Sequence, residues 1–245
     1  SNAHAWVEVY FPDYGWVEFE PKVLVAMCFD VLRRALKEAR VSASDCTLGI
    51  TNQRETVVVW DSRTGKAVYP AIGWEDARTK EWCEKFIAAD PKRAQKIRER
   101  TGLFVDAYFT APKLRWILDH AVKSTEHLLA GTLDTWVLWH LTGEYMTDYT
   151  NACRTLLYDP QTYGFDLCNY FSIPSSMLTP IIHPSKSNFG ATKREIFGTA
   201  IPVRAIIGDQ QSSLYAAGTD VGATKITYGT GAFLMILLGG SFQLV

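Results

Sequence analysis

Short apolar runs of strand length alternate with longer amphipathic segments along this chain, and that alternation restricts its fold more than any other feature. Strand-like runs occur at 47–50, 56–61 and 205–208. Apolar residues recur with helical spacing in the segments 23–39, 90–102, 112–124 and 132–143. Because strands that alternate with helices bury their apolar faces by layering, we predict an α/β architecture with a mixed sheet flanked by helices.

Charge and composition exclude several classes of partner. The formal net charge of −1 gives no electrostatic reason to bind nucleic acid or an anionic membrane surface. The apolar run "FLMILL" at 233–238 is far shorter than the roughly 20 residues of a spanning helix, so we predict no membrane span. The five cysteines are scattered without a C-x-x-C pair, which favours a reducing cytoplasmic setting over disulfides or a zinc ribbon.

A polar break separates two of the predicted strands. The residues Asn52-Gln53-Arg54-Glu55 lie between "TLGI" and "TVVVWD". Ligands of α/β proteins bind beyond the carboxyl ends of strands, and a guanidinium beside a carboxylate offers both donors and acceptors to hydroxyl groups. A surface turn with a weak ion pair explains the same letters equally well, so both interpretations stay open.

Two further polar positions are candidates for chemistry. Asp209 follows the strand-like run "AIIG" and could accept a proton from a substrate hydroxyl, although Asp is also a favoured helix N-cap. The turn Tyr228-Gly229-Thr230-Gly231 could bring backbone amides to a phosphate, or could be a plain hairpin turn. The aromatic residues Trp60, Trp74, Tyr108 and Phe233 could cover a ligand's carbon skeleton or simply fill the core.

Taken together, six ordered stretches resemble one family. They are "GITNQRETVVVWDSRTGKAVYPAIGWEDART", "TGLFVDAYFTAPKLRWIL", "GTLDTWVLWHLTG", "TDYTNACRTLLYD", "GDQQSSLYAAG" and "KITYGTGAFLM". In this order they resemble the FGGY carbohydrate kinases, and among these the glycerol kinases most. The resemblance implies a ribonuclease-H-like, actin-like ATPase fold. It also implies transfer of the γ-phosphoryl group of ATP, with Mg²⁺, to a polyol, most closely glycerol to glycerol 3-phosphate.

The same resemblance implies roles for individual residues. Arg54, Glu55, Tyr108 and Asp209 would bind the substrate hydroxyls, and Asp209 would also take the proton from the attacking hydroxyl, with Gln210 beside it. A related polyol such as erythritol, or dihydroxyacetone, stays open as the substrate.

Further positions would contact the carbon backbone and the nucleotide. Trp74 and Phe233 would flank the carbon atoms of the polyol, whereas Gly229, Thr230 and Gly231 would contact nucleotide phosphates. No residue is expected to bind a metal directly. An alternative from another class is a non-catalytic polyol-binding or regulatory module that keeps the pocket without the chemistry.

The resemblance also suggests how the chain is divided. Residues 1–218 would form the N-terminal, substrate-binding domain without its first phosphate-loop hairpin, and residues 219–245 would begin the C-terminal, ATP-binding domain. The fold would thus be incomplete at both ends, so we expect little kinase activity from this chain alone. An unpaired sheet edge would favour homo-oligomers.

Overall fold

The structure is a computed structural model that describes residues 20–228 and 232–239. Within these ranges, helices and short strands alternate along the chain. The helices are α1 (Pro21–Ala39), α2 (Lys80–Ala89), α3 (Pro91–Thr101), α4 (Thr110–His120), α5 (Leu133–Thr142), α6 (Tyr149–Ala152), α7 (Arg194–Phe197) and α8 (Asp209–Ala217). The strands are β1 (Leu48–Asn52), β2 (Val57–Asp61), β3 (Lys66–Ala67), β4 (Leu128–Thr132), β5 (Thr147–Asp148), β6 (Ile182–His183), β7 (Val203–Gly208), β8 (Thr224–Tyr228) and β9 (Ala232–Ile236). The predicted α/β class is confirmed.

The described strands form small sheets, some of them parallel and others antiparallel. β2 lies between β3 and β4 and is antiparallel to both. β1 pairs with β7 in parallel, β5 pairs with β6 in parallel, and β8 and β9 form an antiparallel hairpin. The parallel pair of β1 and β7 aligns Asn52 with Gly208, so both strands end at the same edge. That edge is where polar residues follow each strand.

Strand β2 separates two parts of the core. Val57 to Trp60 are completely buried. Because successive side chains of a strand point to opposite faces, Val57 and Val59 join the larger cluster with α4, whereas Val58 and Trp60 join the cluster with α1 and α5. By contrast, β1 alternates between half-buried and exposed positions, so it is less buried than its apolar letters suggest.

Several helix ends follow from the sequence. The glycines that follow α3 and α5, Gly102 and Gly143, adopt left-handed φ values of 74° and 88°, and their amides bond back to the last turn. Helix α1 runs from Pro21 to Ala39 and contains the whole segment 23–39 whose apolar spacing predicts a helix. None of the helices in the described ranges combines the length and the apolar composition that crossing a bilayer requires.

Candidate functional site

The polar break between β1 and β2 lies inside the protein. Arg54 is only 5% exposed, and Glu55 is 1% exposed. Glu55 has a left-handed φ of 61°, and the Thr56 amide donates to the Arg54 carbonyl at 2.7 Å. This tight turn lets two consecutive side chains enter the same interior, whereas a strand would send them to opposite faces. The alternative of a weak surface ion pair is therefore wrong.

Arg54 reaches across to the residues that follow β7. Its Nε lies 3.3 Å from Asp209 Oδ1, although Nε is not aligned for a hydrogen bond with any described residue. Its Nη1 donates to Gln211 Oε1 at 3.3 Å. The side chain passes directly over Gly208, where a Cβ atom would lie 2.6 Å from Arg54 Cδ. A glycine at this position is thus what admits the arginine.

Glu55 is bound by a second arginine from a distant part of the chain. Arg154 Nε donates to Glu55 Oε1 at 2.6 Å, while Arg54 Nε lies 4.0 Å from the same oxygen. Thr110 at the start of α4 donates to the Glu55 carbonyl at 3.0 Å. Burial raises the pKa of the Glu55 carboxyl, and the positive charges of Arg54 and Arg154 oppose that rise.

Tyr108 lies beside this carboxylate and packs against Trp74. The two ring centroids are 5.6 Å apart in an edge-to-face arrangement, and both residues are half-buried. Burial raises the pKa of the Tyr108 hydroxyl, and the nearby Glu55 adds to the rise. Two of the predicted aromatic residues therefore come together at the polar break. Trp60 does not, because it is completely buried among Trp136 and Tyr145.

A buried lysine bonds to the backbone of Tyr108. Lys113 of α4 is completely buried, and its Nζ donates to the Tyr108 carbonyl at 2.5 Å. Burial lowers the pKa of Lys113 to about 8, while the carboxylates of Glu55 and Asp76 oppose the fall. Lys113 is thus a buried cation on which the carboxylates of Glu55 and Asp76 act.

Asp209 is the first residue of α8 and lies at the shared edge of β1 and β7. Its side chain is 36% exposed, and Oδ1 accepts a hydrogen bond from the Gln210 amide at 2.7 Å. The N-cap of α8 is Gly208, so the cap interpretation of Asp209 does not hold. A partly exposed carboxylate is thus placed beside the buried guanidinium of Arg54.

The remaining predicted positions lie on or beside the hairpin. Gln210 Oε1 accepts from Lys225 Nζ at 2.9 Å and from Thr227 Oγ1 at 3.3 Å, so its side chain contacts β8. Phe233 is half-buried on β9 and pairs with Thr227. Gly229, Thr230 and Gly231 lie outside the described residues, so the predicted phosphate contacts there stay a prediction.

An amide pair fixes the end of β1 next to the site. Asn52 Nδ2 donates to Asn151 Oδ1 at 2.9 Å, and Asn151 Nδ2 donates back at 3.2 Å. Asn151 is in turn held by Asp148 Oδ1, the N-cap of α6, at 2.8 Å. The end of β1 is therefore tied to the segment that carries Arg154.

Sequence reasoning did not find four of these residues. They are Lys113, Asn151, Arg154 and Gln211. Asn151 and Arg154 lie in the stretch "TDYTNACRTLLYD", which contributed to the family resemblance, but nothing in that stretch indicates which side chains turn inward. Lys113 falls in a helix whose lysine is expected on a solvated face, and Gln211 has no distinguishing neighbour. All of them except Lys113 bond to a residue that lies 99 or more positions away in the chain.

No three His, Cys, Asp or Glu side chains are grouped to hold a metal ion among residues 20–228 and 232–239. The five cysteines are free thiols. The side chains at the site instead supply fixed hydrogen-bond donors, two carboxylates and an aromatic wall. Such a set suits a small hydroxylated ligand.

Comparison with known proteins places this arrangement in context. The model of the FGGY family of carbohydrate kinases, N-terminal domain, matches residues 1–216. A glycerol kinase of Trichodesmium erythraeum is 41% identical, with 98% of this chain and 49% of that protein covered. A glycerol kinase of Francisella philomiragia is 44% identical, with 94% of this chain and 48% of that protein covered.

A solved structure agrees with the sequence matches. The crystal structure of Plasmodium falciparum glycerol kinase with ADP has a TM-score of 0.82 and 35% sequence identity, with 94% of this chain and 48% of that chain covered. The chain therefore spans about half the length of the relatives that it matches. The match extends over both the site and the fold that carries it.

Proposed function

The chain belongs to the FGGY family of carbohydrate kinases, and from that premise we propose that it forms the polyol site of an ATP-dependent kinase. The substrate is glycerol, and the product is glycerol 3-phosphate. One observation carries the proposal: buried Arg54 lies against both carboxylates, 3.3 Å from Asp209 and 4.0 Å from Glu55. This set offers donors and acceptors to adjacent hydroxyl groups within a few ångströms.

Each residue has a role that suits its surroundings. Glu55 accepts a hydrogen bond from one hydroxyl group, and the guanidinium of Arg54 donates to hydroxyl oxygens. Tyr108 adds a phenol group and, with Trp74 and Phe233, covers the carbon atoms. The two described rings of Trp74 and Tyr108 support this because they form a packed edge-to-face pair.

Asp209 is the base in this proposal. Phosphoryl transfer asks the protein mainly for positioning and charge stabilisation, so a single well-placed carboxylate suffices to receive the proton of the attacking hydroxyl. Asp209 is partly exposed, as a group that must meet a second substrate needs to be. Gln210 lies next to it and links α8 to β8 through Lys225.

ATP is the second substrate, and it would bring Mg²⁺ on its phosphates. Mg²⁺ keeps several waters and is commonly held by substrate phosphates together with one or two carboxylates. Gly229, Thr230 and Gly231 are proposed to contact the phosphates. The free thiols suit a cytoplasmic kinase.

The first test is glycerol binding by calorimetry and by thermal unfolding of this chain. A ligand at 100 times its Kd stabilises the native state by about 2.7 kcal/mol, so binding produces a clear rise in unfolding temperature. We expect Arg54→Ala to abolish that rise. Equal shifts with glycerol and with a non-binding polyol would contradict the proposed substrate.

Asp209→Asn separates a kinase from a non-catalytic polyol-binding module. In the protein expressed at its natural length, we expect this variant to bind glycerol within a few-fold of wild type but to lose ATP-dependent phosphorylation by a factor of about 100 or more. A wild-type protein that binds glycerol and transfers no phosphate would favour the binding module instead.

A further inference from the structure

The Glu55 carboxylate is anchored at one oxygen. Oε1 accepts a 2.6 Å hydrogen bond from Arg154 Nε. The Glu55 side chain is only 2% exposed, so a bond from a fixed cation restricts how the carboxylate can turn.

Arg154 is itself held in place by the aromatic residues of the site. Its guanidinium carbon lies 4.8 Å from the ring centroid of Phe109 and 5.5 Å from that of Tyr108. Its backbone amide donates to the Asn151 carbonyl at 3.1 Å, and the next residue, Thr155, accepts from the Ala111 amide at 2.9 Å. The start of α4 and the turn after α6 therefore fix where this arginine can lie.

The other cations near Glu55 have different partners. Arg54 lies 4.0 Å from Oε1 and makes its closer contacts with Asp209 and Gln211. Lys113 Nζ donates to the Tyr108 carbonyl. Arg154 is the cation that makes a short hydrogen bond with the carboxylate, 99 residues away in the chain.

We propose that Arg154 is a positioning residue that anchors Oε1 of Glu55 and thereby orients the carboxylate to accept a hydrogen bond from a polyol hydroxyl group. This inference rests on the proposed function for its ligand. It assigns the acceptor end of the site to a pair of residues, since Glu55 alone in this buried place favours the protonated form, which donates a hydrogen bond. A carboxylate anchored by a fixed guanidinium stays ionised and keeps one orientation.

The test begins with the ligand-free protein, where it needs no glycerol. The pKa of Glu55 is read from its side-chain carboxyl carbon by NMR, in the presence of the same neighbours Arg54, Lys113 and Tyr108. In Arg154→Met, we expect the pKa of Glu55 to rise by about one unit or more, and in Arg154→Lys by less. Arg98→Met is the matched control, because Arg98 stacks on the Phe104 ring at 4.1 Å on α3 and should leave the pKa of Glu55 unchanged.

The second readout is the pH dependence of glycerol affinity. We expect Arg154→Met to bind glycerol about tenfold more weakly near neutral pH, and its affinity to rise through a midpoint shifted to higher pH along with the pKa of Glu55. A residue that only supports the fold would weaken binding without moving this midpoint. Arg154→Lys should recover part of the affinity, and it serves as the probe if Arg154→Met does not fold.

The outcomes distinguish this proposal from the proposed function. A folded Arg154 variant with an unchanged pKa for Glu55 and an unchanged midpoint for glycerol binding would overturn the positioning role. A shifted pKa for Glu55 in a protein that binds no glycerol would support the Arg154–Glu55 anchor and overturn glycerol as its ligand.

Discussion

At the scale of single residues, the site depends on Gly208, which has no side chain. Arg54 crosses the backbone of Gly208, and the space that a Cβ would occupy is already filled by Arg54 Cδ and Cγ. The glycine lies at the N-cap of α8, one residue before Asp209. Its small size therefore sets the approach of the guanidinium to the carboxylate.

Gly208→Ala should displace Arg54 and weaken glycerol binding by about tenfold or more, because a buried guanidinium that leaves its partners is costly. Calorimetry on the variant, with the Nε–H resonance of Arg54 as a structural marker, checks this. Gly49→Ala is the matched control on the paired strand, where a new Cβ would meet Ala205 at an ordinary 3.8 Å. Equal affinities in the two variants would contradict the prediction.

Lys113 gives the site a pH signature. Its pKa falls from 10.5 in a free lysine to about 8 in the fold, so between these values the unfolded chain binds more protons than the native state. The free energy of unfolding should then rise with pH across this window and should lose that gain as the pH falls through 8. The 2.5-unit shift corresponds to about 3 kcal/mol.

Urea unfolding of wild type and Lys113→Met at several pH values from 7.5 to about 10.5 measures this effect. We expect the stability of wild type relative to the variant to improve by about 3 kcal/mol over the window. Lys96→Met, on the exposed surface of α3, controls for the loss of a lysine. If the difference in unfolding free energy between wild type and Lys113→Met stays constant with pH, the lowered pKa of Lys113 is refuted.

At the scale of elements, two N-cap aspartates differ in their burial and in the number of groups that they bind. Asp90 caps α3 on the surface by accepting from the Arg93 amide at 3.0 Å. Asp148 caps the much shorter α6 but is completely buried, and it also accepts from Ser185 and Asn151 side chains. The second cap thus ties α6 to distant segments as well as starting a helix.

Asp148→Ala should therefore lower the free energy of unfolding by about 3 kcal/mol or more, because it leaves several buried donors without a partner. Asp90→Ala should lower it by about 1 kcal/mol, the usual value of an exposed N-cap. Chemical denaturation compares the two directly. A loss of the same size in both variants would show that the network around Asp148 adds nothing to its capping role.

At the scale of the whole molecule, the hairpin of β8 and β9 has an exposed apolar face. Its members alternate along both strands on one side: Ile226, Tyr228, Leu234 and Ile236. Ile226 and Leu234 are cross-strand partners and are 56% and 63% exposed. Exposed apolar patches of this kind mark contact surfaces.

We predict that this chain associates with a second copy of itself through that face. The apparent mass measured by light scattering should rise with concentration, and Ile226→Lys combined with Leu234→Glu should suppress the rise while an opposite-charge pair preserves the hairpin. Val41→Lys, at an exposed apolar position elsewhere, is the control. A monomer at every concentration would contradict this prediction.

Local patterns in the sequence determined the secondary structure well. Apolar spacing predicted α1, α3, α4 and α5, and glycine predicted the ends of α3 and α5, because helix periodicity and left-handed caps depend on neighbouring residues. The turn chemistry predicted the hairpin of β8 and β9. Several elements were not predicted, among them α2, β4, β5, α6, β6 and α7, because their segments are short or mixed and show no clear period.

The sequence by itself determined the α/β architecture, the family and the polar break at Arg54 and Glu55. Only the tertiary structure decided that both side chains are buried together and that Gly208 admits Arg54. It also decided that Arg154 bonds to Glu55 and that Lys113 bonds to the Tyr108 backbone. The physical reason is that burial and charge pairing join residues far apart in the chain, as Glu55 and Arg154 are, and no local pattern carries that information.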